Sequence, residues 1–158
     1  MKTPRKFLYS ENSKGGTGDA LFAACDVLHD RFLVLYGDDI HGKAVLKKLV
    51  SGPDAALAIR TDHPERFGVI EQNEDGTLKR IIEKPEHPSS NLVNPGGYII
   101  STDIFDCIAK KSHLGEYFLV DNINIYVKTH PMKIIEQDQW ITVNYPKDIE
   151  KAEARLLV

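Results

Sequence analysis

Three short stretches of this sequence carry groups that could bind a phosphorylated ligand. Asp38 follows the apolar run FLVLYG, and a carboxylate there suits Mg²⁺, which takes one or two protein carboxylates and completes its shell with phosphate oxygens and water. Lys84 offers an ammonium to a phosphate, and the neighbouring Glu83 can accept hydrogen bonds from sugar hydroxyls. The loop GGTG at 15–18 precedes an apolar helical pattern and can bring backbone N–H groups close to a ligand.

Each of these signals also has a plainer interpretation. Gly-Asp-Asp is good turn chemistry, and spacing alone does not decide between a turn and a metal ligand at Asp38. The loop at 15–18 matches neither the phosphate-binding G-x-x-x-x-G-K-[ST] pattern nor G-x-G-x-x-G, so by itself it favours a simple connector. A Glu-Lys pair at a strand end is usually a solvated ion pair. Asn94, in NPGG, could bond a sugar hydroxyl or only make a turn.

A β-hairpin is predicted over FGVIEQNEDGTLKRIIEKP, residues 67–85. Asp75 and Gly76 supply the turn, because glycine readily takes the positive φ that such a turn requires. Antiparallel pairing would place Gly68, at the start of the first strand, beside Glu83 and Lys84 at the end of the second. We therefore expect these three residues to lie close together in one site.

Strands and helices alternate along the chain, which predicts a three-layer α/β/α sandwich with a mostly parallel sheet, formed by residues 1–158 as a single domain. In such sheets ligands bind beyond the carboxyl ends of the strands. The closing helix is expected to bury Ile149, Ala152 and Leu156. Strands are predicted at 7–9, 32–37, 54–60, in the hairpin, at 96–101, 132–136 and 140–143, and helices after residue 18 and at 43–50, 103–111, 116–128 and 146–157.

Composition excludes several classes of function. The chain has 158 residues, 42% of them hydrophobic and 27% charged, with a net charge of -3, so no basic surplus indicates nucleic acid as a partner. No apolar run approaches membrane-spanning length, and MKTPRKFLYS lacks the apolar core of a signal peptide. Cys25 and Cys107 are predicted as buried free thiols of a cytoplasmic protein. Trp140 is expected in the core, and the histidines have no metal-binding spacing.

Taken together, the motifs resemble the sugar-1-phosphate nucleotidyltransferases, whose nucleotide-diphospho-sugar transferase fold is Rossmann-like. The resemblance covers nearly the whole chain in the order of the family. It is carried by GGTGDAL (15–21), FLVLYGDD (32–39), RFGVIE (66–71), IIEKP (81–85), NPGGYI (94–99), GEYFLVD (115–121) and VNYPKDIEKAE (143–153).

The resemblance implies a role for each matching position. A sugar-1-phosphate would attack the α-phosphorus of a nucleoside triphosphate and release pyrophosphate, with Asp38 and Lys84 as the catalytic residues. Asp38 would bind catalytic Mg²⁺, and Asn144 is similar to the asparagine ligand found in the uridylyltransferase branch. The remaining positions would bind substrate: Gly16 and Thr17 the nucleobase, and Gly68, Glu83, Lys84, Asn94 and Gly96 the sugar-phosphate.

One departure leaves the activity open. The chain contains no G-x-G-T-R-type triphosphate loop, which precedes these motifs in the family, so it is expected to be N-terminally truncated. Three explanations fit: a fragment, half of a split enzyme, or a shortened relative that has lost turnover. Two main hypotheses remain. The protein is an enzyme that acts on a nucleoside triphosphate and a sugar-1-phosphate, or it is a non-catalytic binding or regulatory subunit. A glycosyltransferase of related fold is a third, weaker hypothesis. An open sheet edge is expected to bind another copy or a partner chain.

Overall fold

The computed structural model describes residues 15–112 and 115–156, and the strand predicted at 7–9 lies outside them. The helices are α1 (Gly16–Phe22), α2 (Lys43–Ser51), α3 (Leu119–Tyr126) and α4 (Pro146–Leu156). The strands are β1 (Arg31–Leu35), β2 (Asp39–His41), β3 (Ala55–Arg60), β4 (Gly68–Gln72), β5 (Leu78–Glu83), β6 (Leu92–Asn94), β7 (Gly97–Ser101), β8 (Lys133–Glu136) and β9 (Trp140–Thr142).

The main sheet has seven strands in the order β1-β7-β3-β6-β4-β5, with β8 paired to β3. The prediction of a mostly parallel sheet is wrong, because among the described strand pairs only β3 and β8 run parallel. The apolar run FLVLYG is typical of a parallel strand covered on both faces, but it forms β1, the terminal strand among those that the structure describes. Leu33 and Leu35 of β1 are each 39% exposed, so a continuous apolar run fixes neither the direction of a strand nor its coverage.

The predicted three-layer α/β/α sandwich is confirmed. Alternate residues of β3 point to opposite faces of the sheet, as the two-residue period of a strand requires. Ala56 and Ala58 join a buried cluster that includes residues of α1 and α3. Ala55 and Leu57 join a second cluster with Leu49 of α2. Helices therefore cover both faces of the sheet.

A separate two-stranded antiparallel sheet pairs β2 with β9. Its register places Asp39 opposite Thr142, and the N–H of Val143 donates to the carbonyl oxygen of Asp38 at 2.8 Å. This pairing brings the segment after β1 against the segment before α4, although more than 100 residues separate them.

The predicted helical stripes are partly wrong. The helical spacing of Leu21 and Cys25 predicts one helix that buries both residues, but α1 ends at Phe22 and a 3₁₀ helix follows at Cys25–Val27, so the Cys25 thiol is exposed. Cys107 is buried as predicted. The helix predicted at 103–111 is only a 3₁₀ helix, Thr102–Asp106. In α4, Ala152 is buried but Ile149 is 50% exposed, and the side chain of Leu156 lies outside the described part of the structure.

Candidate functional site

A cleft of about 860 Å³ opens between the β4–β5 hairpin, the turn that joins β1 to β2, strand β9 and the first turns of α4. The residues that line the cleft come from distant parts of the chain, because the hairpin and the β2–β9 pairing bring these segments together. Seven of the nine residues predicted as site residues line it: Asp38, Gly68, Glu83, Lys84, Asn94, Gly96 and Asn144.

Gly68 lies between two of the other predicted residues. It pairs with Glu83 across the β4–β5 ladder and with Asn94 across the β4–β6 ladder, so the three stand in one row over adjacent strands. A Cβ atom on Gly68 would lie 2.7 Å from Cγ2 of Ile81 and 3.2 Å from Oε2 of Glu83. The hairpin does bring the opening glycine to the closing Glu-Lys pair, and the absence of a side chain leaves this row accessible from the cleft.

Lys84 adopts a backbone conformation that is unusual for a residue with a side chain. Its φ is 43°, in the left-handed region, and its N–H donates to the carbonyl oxygen of Phe67 at 3.0 Å. Such strain tends to occur at binding sites. The Lys84 ammonium lies 3.9 Å from a Glu83 carboxylate oxygen, but the two side chains are 66% and 42% exposed, so this ion pair contributes little to stability. Burial raises the pKa of the Glu83 carboxyl, and Lys84 partly opposes that shift.

Asp38 and Asn144 offer oxygen atoms to one part of the cleft. The hydrogen bond from Val143 to Asp38 fixes the two segments side by side. The Asn144 side-chain N–H donates to Oγ1 of Thr142 at 2.9 Å, which leaves the amide oxygen for a ligand. A carboxylate and an amide oxygen beside space for phosphate fit a hard divalent cation. Within 15–112 and 115–156, no three or more His, Cys, Asp or Glu side chains form a metal-binding group, so any such ion would depend on its substrate for further ligands.

Asp39 and Trp140 form one edge of the cleft. The indole N–H of Trp140 donates to Oδ1 of Asp39 at 2.7 Å. Burial raises the pKa of Asp39 to about 6, and the charge of Asp38 adds to that effect while the indole hydrogen bond opposes it. The expectation that Trp140 lies in the core is wrong, since its ring is half-buried and lines the cleft. The ring packs against Phe67 in a T-shaped arrangement, with the two ring centroids 5.1 Å apart. Nothing in the sequence distinguishes this exposed-edge position from a core position.

Asn94 is tied into the protein interior. Its amide N–H donates to the carbonyl oxygen of Leu57 at 2.8 Å, and its side-chain oxygen accepts bonds from the N–H of Gly96 and the hydroxyl of Tyr98. The hydrogen-bonding capacity left for a ligand is the second amide proton. Asn94 therefore holds the β6–β7 bend in shape as well as lining the cleft.

The structure does not place Gly16 and Thr17 on the cleft. Gly16 has a φ of +83° and a Cβ there would lie 2.5 Å from the carbonyl oxygen of Tyr117, so the glycine is needed for close backbone packing. Thr17 accepts a hydrogen bond from the N–H of Leu119 at 3.0 Å. Their link to the cleft is Tyr36, whose phenol hydrogen-bonds to Thr17 and whose pKa is raised by burial.

Sequence reasoning missed several residues of the cleft. The ring of Tyr36 packs on Gly96, where φ is +75° and a Cβ would lie 2.3 Å from the ring. An apolar strand end gives no sign of this contact. The i, i+4 spacing of Lys147 and Lys151 was readable, because in a helix it puts both on one side. Residues that line the cleft without having been predicted include Tyr36, Asp39, Arg66, Trp140, Lys147, Asp148 and Lys151.

Comparison with known proteins decides the family. The profile of the nucleotidyl transferase family matches residues 5–157, nearly the entire chain. The chain belongs to the nucleotidyl transferase family. The described helices include none that is both long and apolar enough to cross a membrane.

Several curated proteins are similar to this chain over most of its length. A bifunctional sugar-1-phosphate nucleotidylyltransferase/acetyltransferase of Sulfurisphaera tokodaii is 34% identical over 85% of the chain. The bifunctional protein GlmU of Methanocaldococcus jannaschii is 36% identical over 96%. The UTP–glucose-1-phosphate uridylyltransferase AglF of Haloferax volcanii is 31% identical over 92%. The matches span 34%, 38% and 65% of those proteins, so the chain corresponds to only part of each.

Solved structures of related nucleotidyl transferases share the fold. A candidate glucose-1-phosphate thymidylyltransferase of Bacillus anthracis, solved with sucrose, has a TM-score of 0.75 at 27% identity, over 92% of this chain and 62% of that one. A UDP-glucose pyrophosphorylase in complex with UDP-glucose has a TM-score of 0.78 at 22% identity, over 92% and 64%. The Rossmann-like fold expected from the motifs is thereby confirmed.

Proposed function

We propose that this chain binds a nucleoside triphosphate and a sugar-1-phosphate in the cleft and transfers the nucleotidyl group to give a nucleotide sugar and pyrophosphate. The observation that carries the proposal is that Asp38 and Lys84, from two separate motifs, line one cleft. Similarity to sugar-1-phosphate nucleotidyltransferases over at least 85% of the chain supports it.

Each wall of the cleft has a role in this proposal. The hairpin wall, formed by Gly68, Glu83 and Lys84, takes the sugar-phosphate: Lys84 donates to the phosphate, and Glu83 accepts from sugar hydroxyls. Asn94 and Gly96 shape the floor beneath the sugar. Gly16 and Thr17, as nucleobase contacts, would act at the end of the cleft that Tyr36 borders.

Mg²⁺ fits at Asp38 and Asn144, where it would neutralise charge on the reacting phosphates. The described residues that line the cleft include no histidine or serine placed as a base, and the reaction needs none, because a sugar-1-phosphate is already an anionic nucleophile. One of its oxygens forms the new bond to the α-phosphorus while the bond to the pyrophosphate oxygen breaks. The protein contributes orientation and charge neutralisation through Lys84 and Asp38.

The exposed edge of β1 supports a further part of the proposal. Among the described strands β1 is the terminal strand of the main sheet, and its residues Leu33 and Leu35 are exposed. An apolar terminal strand is a template for pairing with another strand. We propose that this edge binds a second copy of the chain or a partner chain. We also propose that the protein is located in the cytoplasm, where nucleotides and sugar phosphates are present.

Pyrophosphate release tests the activity. The purified chain is incubated with Mg²⁺, each of the common nucleoside triphosphates and a panel of sugar-1-phosphates, and released pyrophosphate is measured. Turnover that disappears in Asp38→Asn supports the enzyme. Binding of a nucleotide sugar by calorimetry without turnover would instead support the non-catalytic subunit, and binding of neither substrate nor product would refute both.

A further inference from the structure

The side-chain amide of Asn94 has one orientation that its surroundings allow. Its Nδ2 donates to the carbonyl oxygen of Leu57 at 2.8 Å, and its Oδ1 accepts from the N–H of Gly96 at 3.2 Å and from the hydroxyl of Tyr98. A carbonyl oxygen cannot donate and a backbone N–H cannot accept, so exchanging the two amide atoms would break both backbone bonds. The amide oxygen is therefore turned inward, and an N–H is what Asn94 keeps for a ligand.

The Tyr98 hydroxyl that holds this oxygen has a fixed position of its own. Tyr98 is fully buried in β7, where its backbone pairs with Val34 of β1 and with Ala56 of β3. Its ring belongs to the core cluster that includes residues of α1 and α3. Burial raises the pKa of the phenol well above its usual value, so the hydroxyl keeps its proton and remains a donor.

Tyr36 lies between the Tyr98 hydroxyl and the cleft. The Tyr36 ring packs on Gly96, and its N–H donates to the carbonyl oxygen of Gly96 at 3.2 Å. A side-chain hydrogen bond joins the phenols of Tyr36 and Tyr98. Tyr36 lines the cleft and Tyr98 does not, so Tyr98 can affect a ligand only through its neighbours.

The row of residues across the adjacent strands presents opposite hydrogen-bonding groups at its two ends. Gly68 pairs with Glu83 on one side and with Asn94 on the other, and all three line the cleft. The Glu83 carboxylate accepts hydrogen bonds, whereas the free N–H of Asn94 donates one. A sugar that spans this row must offer a hydroxyl proton to Glu83 and an oxygen acceptor to Asn94.

We propose that Tyr98 is a positioning residue, which holds the Asn94 amide so that its N–H meets an oxygen of the bound sugar. The inference rests on the proposed function and extends it, because it names the kind of sugar group that the Asn94 end of the row accepts. Without the hydroxyl, the N–H of Gly96 is the remaining donor to Oδ1 among the described residues, and the amide is less firmly held.

The first test examines the amide without any ligand. Tyr98→Phe removes the hydroxyl and keeps the ring. Tyr126→Phe is the matched control, because the hydroxyl of this fully buried tyrosine also donates to a side-chain oxygen, that of Asp54, outside the cleft. In the ¹⁵N-labelled full chain, the Asn94 side-chain N–H signals are identified by their loss in Asn94→Ala.

Hydrogen exchange of these N–H groups should become about three- to tenfold faster in Tyr98→Phe, as loss of one hydrogen bond predicts. In Tyr126→Phe the exchange of the Asn94 amide should change about twofold or less, since the lost bond is elsewhere. Equal exchange rates in Tyr98→Phe and the wild type would overturn the positioning role. Equal acceleration in both variants would also overturn it, because the effect would then come from general destabilisation.

The second test examines sugar selectivity, with the fluorescence of Trp140, the single tryptophan, as a binding signal from within the cleft. The full chain is titrated with glucose-1-phosphate and its monodeoxy analogues, with Mg²⁺ present. In the wild type, the analogue that lacks the oxygen facing Asn94 should bind about three- to tenfold more weakly than glucose-1-phosphate. This difference should shrink to about twofold or less in Tyr98→Phe and should persist in Tyr126→Phe.

A double-mutant cycle then shows whether Tyr98 acts through Asn94. Tyr98→Phe should weaken glucose-1-phosphate about three- to tenfold in the wild-type background and about twofold or less in Asn94→Ala, where the residue it positions is gone. A full loss in both backgrounds would overturn the proposal. If Asn94→Ala does not fold, the comparison of Tyr98→Phe with Tyr126→Phe decides alone.

The outcomes separate this inference from the proposed function. Unchanged selectivity and exchange in Tyr98→Phe, with sugar-phosphate binding intact, would remove the role of Tyr98 and leave the proposed function standing. A wild-type chain that binds no sugar-1-phosphate would remove the proposed function, and faster exchange in Tyr98→Phe would still show that Tyr98 holds Asn94.

Discussion

Gly68 lies directly opposite Glu83 in the β4–β5 ladder, and the missing side chain of the glycine leaves space for the Glu83 carboxylate. The carboxylate can therefore stay close to the strand and face the cleft together with Lys84. The position of Gly68 must be small for the Glu83 side chain to be placed in this way, so the proposed binding role of Glu83 depends on a backbone requirement at Gly68.

Replacing Gly68 by alanine should affect both stability and binding. The new Cβ would lie 2.7 Å from Ile81 and 3.2 Å from the Glu83 carboxylate, so the hairpin must shift. Overpacking of this kind costs about 1 to 3 kcal/mol, measured by denaturant unfolding. Gly37→Ala is the matched control, because a Cβ at Gly37 meets nothing within 4 Å. Equal unfolding midpoints for the two variants would show that the space beside Glu83 is not required.

Removing the charge of Lys84 should weaken sugar-phosphate binding. A lost charge-assisted hydrogen bond corresponds to about 1.5 to 3 kcal/mol, so Lys84→Gln should raise the dissociation constant for glucose-1-phosphate by about tenfold or more. Calorimetry measures this directly. Lys79→Gln, on the exposed part of β5, controls for the change in net charge. An affinity equal to that of the control would take Lys84 out of the site.

Asp38→Asn should remove most of the metal dependence of nucleotide binding. The amide is a weaker ligand for Mg²⁺ than the carboxylate, so we expect metal-dependent affinity for UTP to fall about tenfold or more. Titrations with Mg²⁺ and with EDTA separate the metal-dependent part. Asp106→Asn, at an exposed position away from the cleft, should retain the wild-type difference. The ligand role is contradicted if Asp38→Asn binds UTP equally well with Mg²⁺ and still loses that affinity in EDTA.

Asp39 should make stability depend on pH in metal-free buffer. Its pKa is raised from 3.8 to about 6 in the folded state, mainly by burial. Between these values the folded protein holds a proton that the unfolded chain has released, so the free energy of unfolding should decrease as pH rises from about 4 to about 6. Asp39→Asn should flatten this part of the curve, whereas Asp62→Asn, at an exposed position outside the cleft, should not. Parallel curves for wild type and Asp39→Asn would rule out the effect.

The edge of β1 should drive self-association or partner binding. Leu33→Lys places a charge on the exposed terminal strand, so the wild-type chain should form a larger species by light scattering and the variant a smaller one. Val50→Lys, on the exposed face of α2, provides a control with the same substitution of an exposed apolar residue. A wild-type chain that remains monomeric at high concentration would count against pairing between copies and leave a different partner chain as the remaining form of the proposal.

Local chemistry in the sequence was enough to predict the hairpin and its consequences. Asp75-Gly76 defines the turn, and once the strands pair, Gly68 must meet Glu83. The neighbourhood of Asp38 and Asn144 was not derivable in the same way. It depends on β2 pairing with β9 across most of the chain, and short strands of three residues carry little periodic signal. The prediction that Asp38 and Asn144 share a metal site came only from the resemblance to the family.

Strand direction and side-chain exposure were the weaker part of the prediction. The same apolar pattern suits a central parallel strand or a terminal antiparallel one, which is why β1 was misjudged. Cys25 was expected in the core because its spacing from Leu21 is helical, but α1 ends before it. Trp140 was expected in the core for its size, whereas its N–H binds Asp39 at the edge of the cleft.

The hairpin wall and the β2–β9 wall belong to two different sheets, and the rings of Phe67 and Trp140 meet between them. This ring pair is a side-chain contact between the two walls, and it lies outside the backbone ladders of both sheets. The width of the cleft therefore depends on how these two rings pack, so a change of ring size at either position would alter the cleft without touching a strand pairing.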